Sequence, residues 1–363
     1  MADWKKKLAS PLVNVFSSAA AITVGLLAGL VILLITNASQ ALGGFVMILS
    51  GGFSSMRELG QVLYFATPII MTGLSVGFSA KAGLFNIGAS GQFITGAYAA
   101  ILVGVKCTFL PGHLHWITAL FAAMLAGALW GAIPGIFKAF FNVNEVIVCI
   151  MTNYIGMFLV NFLVTKTVFN PLQNQSARVA ASANLPKMGM DGIFRDGFNV
   201  SSANSGIFIA VIFAVLIYIV LEKTAFGYEL KACGHNRDSV YYAGISVKRN
   251  IVSSMVIAGA LAGLGGALLY LAGSGRGINV VDVLAMEGFN GIPVALLGFN
   301  NPVGIIFSGL LIAYLSVGGF NMQLFNFAPQ VIEIIIGLII YFSAFTLLLR
   351  GFFAALKKRR GKQ

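Results

Sequence analysis

The chain has 363 residues, of which 58% are apolar and only 9% are Asp, Glu, Lys or Arg. A soluble domain carries about 25% charge, and one bilayer-spanning helix needs about 20 apolar residues. The charge-free stretches 8–56, 59–80, 82–105 and 288–332 supply that length many times over, which excludes a soluble enzyme, a disulfide scaffold and a disordered chain. The apolar runs are solid rather than alternating, which also excludes an outer-membrane barrel. The predicted class is therefore all-α: a polytopic membrane protein that forms one transmembrane domain over residues 1–363.

In chain order, Lys5, Lys6 and Lys7 precede an apolar run at 15–36. A secretory signal has an apolar core of only about 7–15 residues, so this run is read as a retained first span. Further spans are predicted at 61–79, 84–105, 114–137, 145–165, 205–221, 250–272, 288–299, 303–320 and 330–349, ten in all. The segment 288–299 is too short to cross straight and holds Gly288, Gly291, Pro293 and Gly298, so a broken or half-crossing helix is expected there. An even count puts both termini on one side. With the termini cytoplasmic, sixteen of the 23 Lys and Arg residues lie inside and seven outside, the direction that cytoplasmic basic bias requires. The net charge of +12 is thus topological and does not imply nucleic acid. Cys107, Cys149 and Cys233 have no CxxC spacing and suggest neither a disulfide framework nor a zinc site.

Two polar loops interrupt the spans. An outer loop over 166–204 is long enough for a small cap or docking surface. An inner loop over 222–249 carries Asn236 and Asp238, either of which suits a helix N-cap, and Gly244, which suits a helix stop. The inner loop is either a solvated connector or a short helix that docks on an energy-supplying partner. Gly83-Leu-Phe-Asn-Ile-Gly88 and Gly288-Phe-Asn-Gly-Ile-Pro293 echo each other, as two halves of an inverted repeat would.

Catalytic signatures are lacking. Gly263–Gly266 has no phosphate-loop lysine, and His113 and His115 bracket Leu114 at a helix mouth, where surface histidines are the expectation. Only Glu145 and Glu333 lie near span ends, a thin set of acids for ion coupling. The spans are instead rich in neutral polar groups: Asn86, Ser90, Gln92, Asn144, Thr152, Asn153, Tyr154, Asn161 and Asn290. Each amide either bonds another helix, worth about 0.6–2 kcal/mol, or faces a wet path. With Phe85 and Phe289 beside them they suit a neutral, partly aromatic solute. Phe85, Asn86, Gln92, Asn153, Tyr154 and Asn290 are the candidate path residues.

Four motifs then resemble one family. Gly83-Leu-Phe-Asn-Ile-Gly-Ala-Ser-Gly-Gln92 is similar to the "GLFNIGAEGQ" signature of ABC-importer permeases of the sugar and nucleoside type, with Ser90 in place of Glu. Asn144-Glu-Val-Ile with Met151-Thr-Asn-Tyr154 resembles "NEVI…MxNY", and Gly234-His-Asn-Arg-Asp238 through Ala243-Gly-Ile245 resembles the coupling segment "GxNxxAAxxAGI". Ile292-Pro-Val-Ala-Leu-Leu-Gly298 with Asn301-Pro302 resembles "IAVALLG…NP". The likeness runs over about 60–345 and is nearest to permeases that work with basic-membrane-protein-type receptors. It implies a cell-membrane import subunit for nucleosides, with ribose-type sugars, riboflavin or branched-chain amino acids as alternatives; the competing reading, apart from the resemblance, is a secondary transporter that works alone. It also implies a second permease chain, an extracellular solute-binding lipoprotein, and an ATPase that carries ATP and Mg, with no cofactor on this chain. Gly234, Asn236, Arg237, Asp238, Ala243, Gly244 and Ile245 are the implied coupling residues.

Overall fold

The computed structural model describes residue 20 and residues 22–344. Lys5–Lys7, the start of the predicted first span, the end of the last and the basic C-terminal tail lie outside the described residues. Among those described, six helices are long and apolar enough to cross a membrane: Met56–Lys81, Gly112–Phe141, Glu145–Thr167, Gly206–Lys223, Val247–Tyr270 and Pro302–Phe325. The chain forms two compact units.

The larger unit, Ser55–Ala313, is built on three helices that cross through small residues. We label the described helices α1 (Ile22–Thr36), α2 (Ala41–Ser50), α3 (Met56–Lys81), α4 (Ala89–Lys106), α5 (Gly112–Phe141) and α6 (Glu145–Thr167). Then come α7 (Met190–Ile193), α8 (Gly206–Lys223), α9 (Ala225–His235), α10 (Arg237–Tyr242) and α11 (Val247–Tyr270). The last are α12 (Met286–Phe289), α13 (Gly291–Leu297), α14 (Pro302–Asn321) and α15 (Pro329–Ala344).

α3 is central, with every residue from Ala66 to Ser79 buried. α11 packs against α4 and α5, where Gly259 and Gly263 meet Gly127, and Gly263 also meets Gly96. In a bilayer there is little hydrophobic drive between helices, so such close backbone approach and its dispersion energy hold the bundle.

One end of this unit gathers Lys81, Lys138, Lys223, Lys231, Arg237, Lys248 and Arg249 and is called the basic end. The opposite, loop end is capped by residues 168–204. Two short antiparallel ribbons stand there, Phe169–Asn170 with Gln175–Ser176 and Arg195–Asp196 with Asn199–Val200. The cap is tied to the helices: Ala180 N–H donates to Gly104 C=O, Leu185 N–H to Leu271 C=O, and Ser176 N–H to Ile278 C=O. His115 corrects the surface expectation. It is fully buried, with Nδ1 2.9 Å from Ser182 Oγ and Nε2 3.0 Å from Val103 C=O, so it pins the cap to α5. His113 is exposed.

The smaller unit comes from the two ends of the chain. It adds a helix the sequence reading did not place, α2, within the connector 37–60. Gly51 packs on Gly318, and Tyr314 Oη donates to Leu49 C=O. Helix α2, ten residues long, falls below the length of a straight crossing.

Candidate functional site

The site is built around two breaks in helical structure. The first separates α3 from α4. Gly83 has φ +68°, a conformation that glycine adopts without the Cβ penalty. Its N–H donates to Ala80 C=O and that of Leu84 to Ser79 C=O, so a Schellman motif closes α3.

Three of the candidate path amides organise the turn that follows. Asn86 and Gln92 form a reciprocal pair, Nδ2 to Oε1 at 2.8 Å and Nε2 to Oδ1 at 3.1 Å, and Asn86 Nδ2 also reaches Ser75 Oγ at 3.2 Å. Asn153 of α6 accepts from Gly91 N–H at 2.8 Å and donates to Ile87 C=O at 3.0 Å. Helix α4 begins after Gly88, which has no side chain to cap it. Asn153 therefore supplies from a neighbouring helix the acceptor that an N-cap would provide. All three amides are buried and satisfied by internal partners. Replacing Asn153 with leucine orphans the Gly91 N–H and Ile87 C=O in an apolar setting, at a cost of about 1–3 kcal/mol. The expected result is a lower melting temperature in detergent, with Asn153→Asp, which still accepts from Gly91, falling between.

The other three candidates present surface. Phe85 is 40% exposed, Tyr154 is 49% exposed, and Asn290 is half-buried between α12 and α13.

The second break is the descent into α12 and α13. The predicted short, broken span is observed, and an irregular segment, 271–285, leads into it. Ser90 Oγ donates to Ala285 C=O at 2.8 Å and Thr72 Oγ1 to Glu287 C=O at 3.3 Å. A Cβ on Gly288 would overlap the Cα of Ser90. The two echoing motifs, 83–88 and 288–293, are therefore brought together through Ser90. Irregular backbone at membrane depth is tolerated where it is buried in protein or borders a water-filled cavity. Arg276 Nη2 sits 2.7 Å from Glu287 Oε1. This ion pair was missed in the sequence because Glu287 falls one residue before the predicted span. Nothing in the intervening sequence, which holds the single glycine Gly277, marks its pairing with Arg276 eleven residues earlier.

The coupling residues form a compact element at the basic end. Asn236 Oδ1 accepts from the N–H groups of Asp238 and Ser239 at 3.0 and 3.1 Å, the N-cap that was one of two expected. Gly244, φ +77°, ends α10: its N–H donates to Tyr241 C=O and that of Ile245 to Val240 C=O. Ala243 is the C-cap residue. Val240 is buried, while Tyr241 and Tyr242 are exposed.

This element touches the first break. Gly234 packs so closely on this turn that a Cβ on it would overlap the Lys81 carbonyl oxygen, a Cβ on Gly83 would lie 3.0 Å from Gly234 Cα, and Arg237 Nη2 donates to Gly83 C=O at 3.3 Å. Beside it, a cleft of about 820 Å³ is lined by Lys138, Arg237, Asp238, Tyr241, Lys248 and Ile251, among others. Lys138 also pairs with Glu145 at 3.0 Å. Burial pushes the Cys233 thiol of α9 above its ordinary range, and Asn250 donates to its sulfur.

The family model described as branched-chain amino acid transport system, permease component, matches residues 58–344. The chain belongs to this family. The permease is 38% identical over 340 residues to the guanosine ABC transporter permease protein NupP of Bacillus subtilis, covering 93% of this chain and 95% of that one. It is 36% identical to the nucleoside ABC transporter permease protein NupB of Lactococcus lactis, covering 89% of each. It is 35% identical to the glucose ABC transporter permease protein TsgB13 of Haloferax volcanii, covering 80% and 76%. No solved structure matches. The matched span holds both breaks and the coupling element, so the geometry above belongs to a transport component, a multi-pass membrane protein of a family that works with an ATPase and a substrate-binding protein.

Proposed function

We propose that this permease is the membrane subunit of an ABC importer for nucleosides in the cell membrane. Relatives named for guanosine and nucleosides match it nearly end to end. The observation that carries the coupling half of this reading is the join between the end of α9 and start of α10 and the α3–α4 break, made by Gly234 of α9 and by Arg237 of α10 on Gly83.

In this reading ten segments cross or half-cross, both termini are cytoplasmic, and the basic end faces the cytosol. Tyr241 and Tyr242 with the adjoining cleft meet the partner ATPase, which holds ATP and Mg. The cap over 168–204, with exposed Leu172 and Phe198, faces an extracellular solute-binding lipoprotein. A second permease chain, different from this one, completes the path. Closure of the ATPase moves α10. The motion reaches the turn over 83–88 and, through Ser90, the α12–α13 break, so access alternates between the two sides. Phe85, Tyr154 and Asn290 present the solute-facing surface, and Asn86, Gln92 and Asn153 form the frame behind it.

The test is uptake of radiolabelled guanosine in cells lacking this chain and in cells with it restored. Restoration recovers uptake, unlabelled nucleosides compete, and loss of the ATPase partner abolishes it. Competition by glucose or ribose alone assigns a sugar instead, as the Haloferax relative's name would suggest. Uptake without any ATPase identifies a secondary transporter.

A further inference from the structure

We infer that Asp282 and Asn161 form the permease's recognition site for a vicinal diol, the 2′,3′-hydroxyl pair of a ribonucleoside; this deepens the reading above and rests on it. The starting point is a charge in an unusual place. Asn161 lies sixteen residues past the start of α6, which at 1.5 Å per residue is about 24 Å along the helix. Six residues remain to the end of the helix at Thr167, so the position sits inside the outer part of a roughly 30 Å hydrocarbon layer.

There, Asn161 Nδ2 donates to Val281 C=O at 2.9 Å and to Asp282 Oδ1 at 3.1 Å, and Asp282 is exposed. The face around it is apolar. Ile155, Phe158 and Phe162 of α6 and Val281 and Val283 of the neighbouring segment are all exposed. Tyr154 is exposed two turns below, and Thr165 and Lys166 are exposed one turn above, toward the end of the helix. A carboxylate at that depth faces water or a polar partner, because facing lipid is costly. The pair therefore marks the mouth of an aqueous path.

The chemistry narrows what it binds. One carboxylate oxygen is engaged by Asn161, and the other is an unengaged acceptor among the described contacts. Asn161 Oδ1 is a second acceptor beside it. Two adjacent acceptors suit two adjacent hydroxyl donors, and hydroxyls bonded to a carboxylate are held more strongly than those bonded to neutral groups. Exposed Phe158 offers a ring face to the base or the sugar, while the Phe162 ring carries Lys166 Nζ 6.0 Å from its centroid. A phosphate or carboxylate solute would be repelled. A site built to bond a hydroxyl discriminates strongly against an analogue lacking it.

The experiment measures competing uptake of guanosine and 2′-deoxyguanosine through the complete importer, with the receptor and ATPase unchanged. Asp282→Asn keeps an oxygen for Asn161 to donate to, so the fold-holding bond survives, but the strong acceptor for the diol is lost. The expected result is about a tenfold fall in the preference for guanosine over its deoxy analogue, arising from a raised KM for guanosine with 2′-deoxyguanosine little changed. Asn161→Asp, which adds repulsion beside Asp282, lowers uptake of both. Equal loss of both solutes in Asp282→Asn, or an unchanged preference, overturns the assignment while leaving nucleoside import standing. Failure of the unmodified permease to support uptake of either solute overturns both.

Discussion

Substituting Gly263 with leucine is expected to lower sharply the yield and the melting temperature of folded permease. Gly263 lies on α11 where its backbone touches α5, and a Cβ there would overlap Ala123 C=O and come within 3.0 Å of Gly127 Cα. These obstacles are backbone atoms, so no side chain can rotate away. The helices must separate, and with them the neighbouring contacts of Gly259 with Gly127 and Gly131 open. Overpacking that side chains can absorb costs about 1–3 kcal/mol; here the expected loss is at the top of that range or above it. Against a total stability of about 5–15 kcal/mol, a loss of that size is a large share of the margin, so both the melting temperature and the yield of folded permease should fall. The measurement is the monodisperse peak and melting temperature in detergent. Gly112→Leu is the control, since nothing lies within 4 Å of a Cβ at Gly112, and it should match the unmodified protein. If Gly263→Leu also matched it, the α5–α11 crossing would not be as close as described.

Local signals were readable in the sequence because they are local. The N-cap at Asn236, the stop at Gly244 and the broken span at 288–299 each depend on backbone conformation over a few residues, which residue type encodes directly. The partners of the polar groups were less legible. Asn86 and Gln92 were left between internal hydrogen bonding and a wet path, and nothing in a one-dimensional pattern says that they close on each other across a turn. The bond from Asn153 to Gly91 spans 62 positions and depends on how α6 packs against α4. His115 was expected at the surface because it opens a helix after a loop, and its burial is decided by the cap that folds back from residue 182. Helix α2 was hidden by continuity. A charge-free run from 8 to 56 offers no punctuation strong enough to show where one helix ends and another begins.

The second large effect is expected at α10, where transport should fail while the fold survives. The helix has six residues, too few to be stable without help. Its order comes from its two ends and from its seat on Gly83. Asn236→Ala removes the acceptor for two N–H groups and costs the helix about 1 kcal/mol. Gly244→Leu forces a side chain into a left-handed conformation, about 1–2 kcal/mol, although a Cβ there meets nothing within 4 Å. That separation is useful: the strain falls on the α10 terminus and on no packed neighbour, so membrane insertion and the detergent melting temperature should change little. Guanosine uptake should fall at least tenfold in both variants, with ATP hydrolysis by the assembled importer no longer responding to loaded receptor. Gly244→Asn, which tolerates the left-handed region, should recover most of the uptake. That rescue separates backbone geometry from a side chain simply obstructing the partner. A Gly244→Leu permease that imports normally would remove α10 from the coupling route and leave the contact between Arg237 and Gly83 as mere packing.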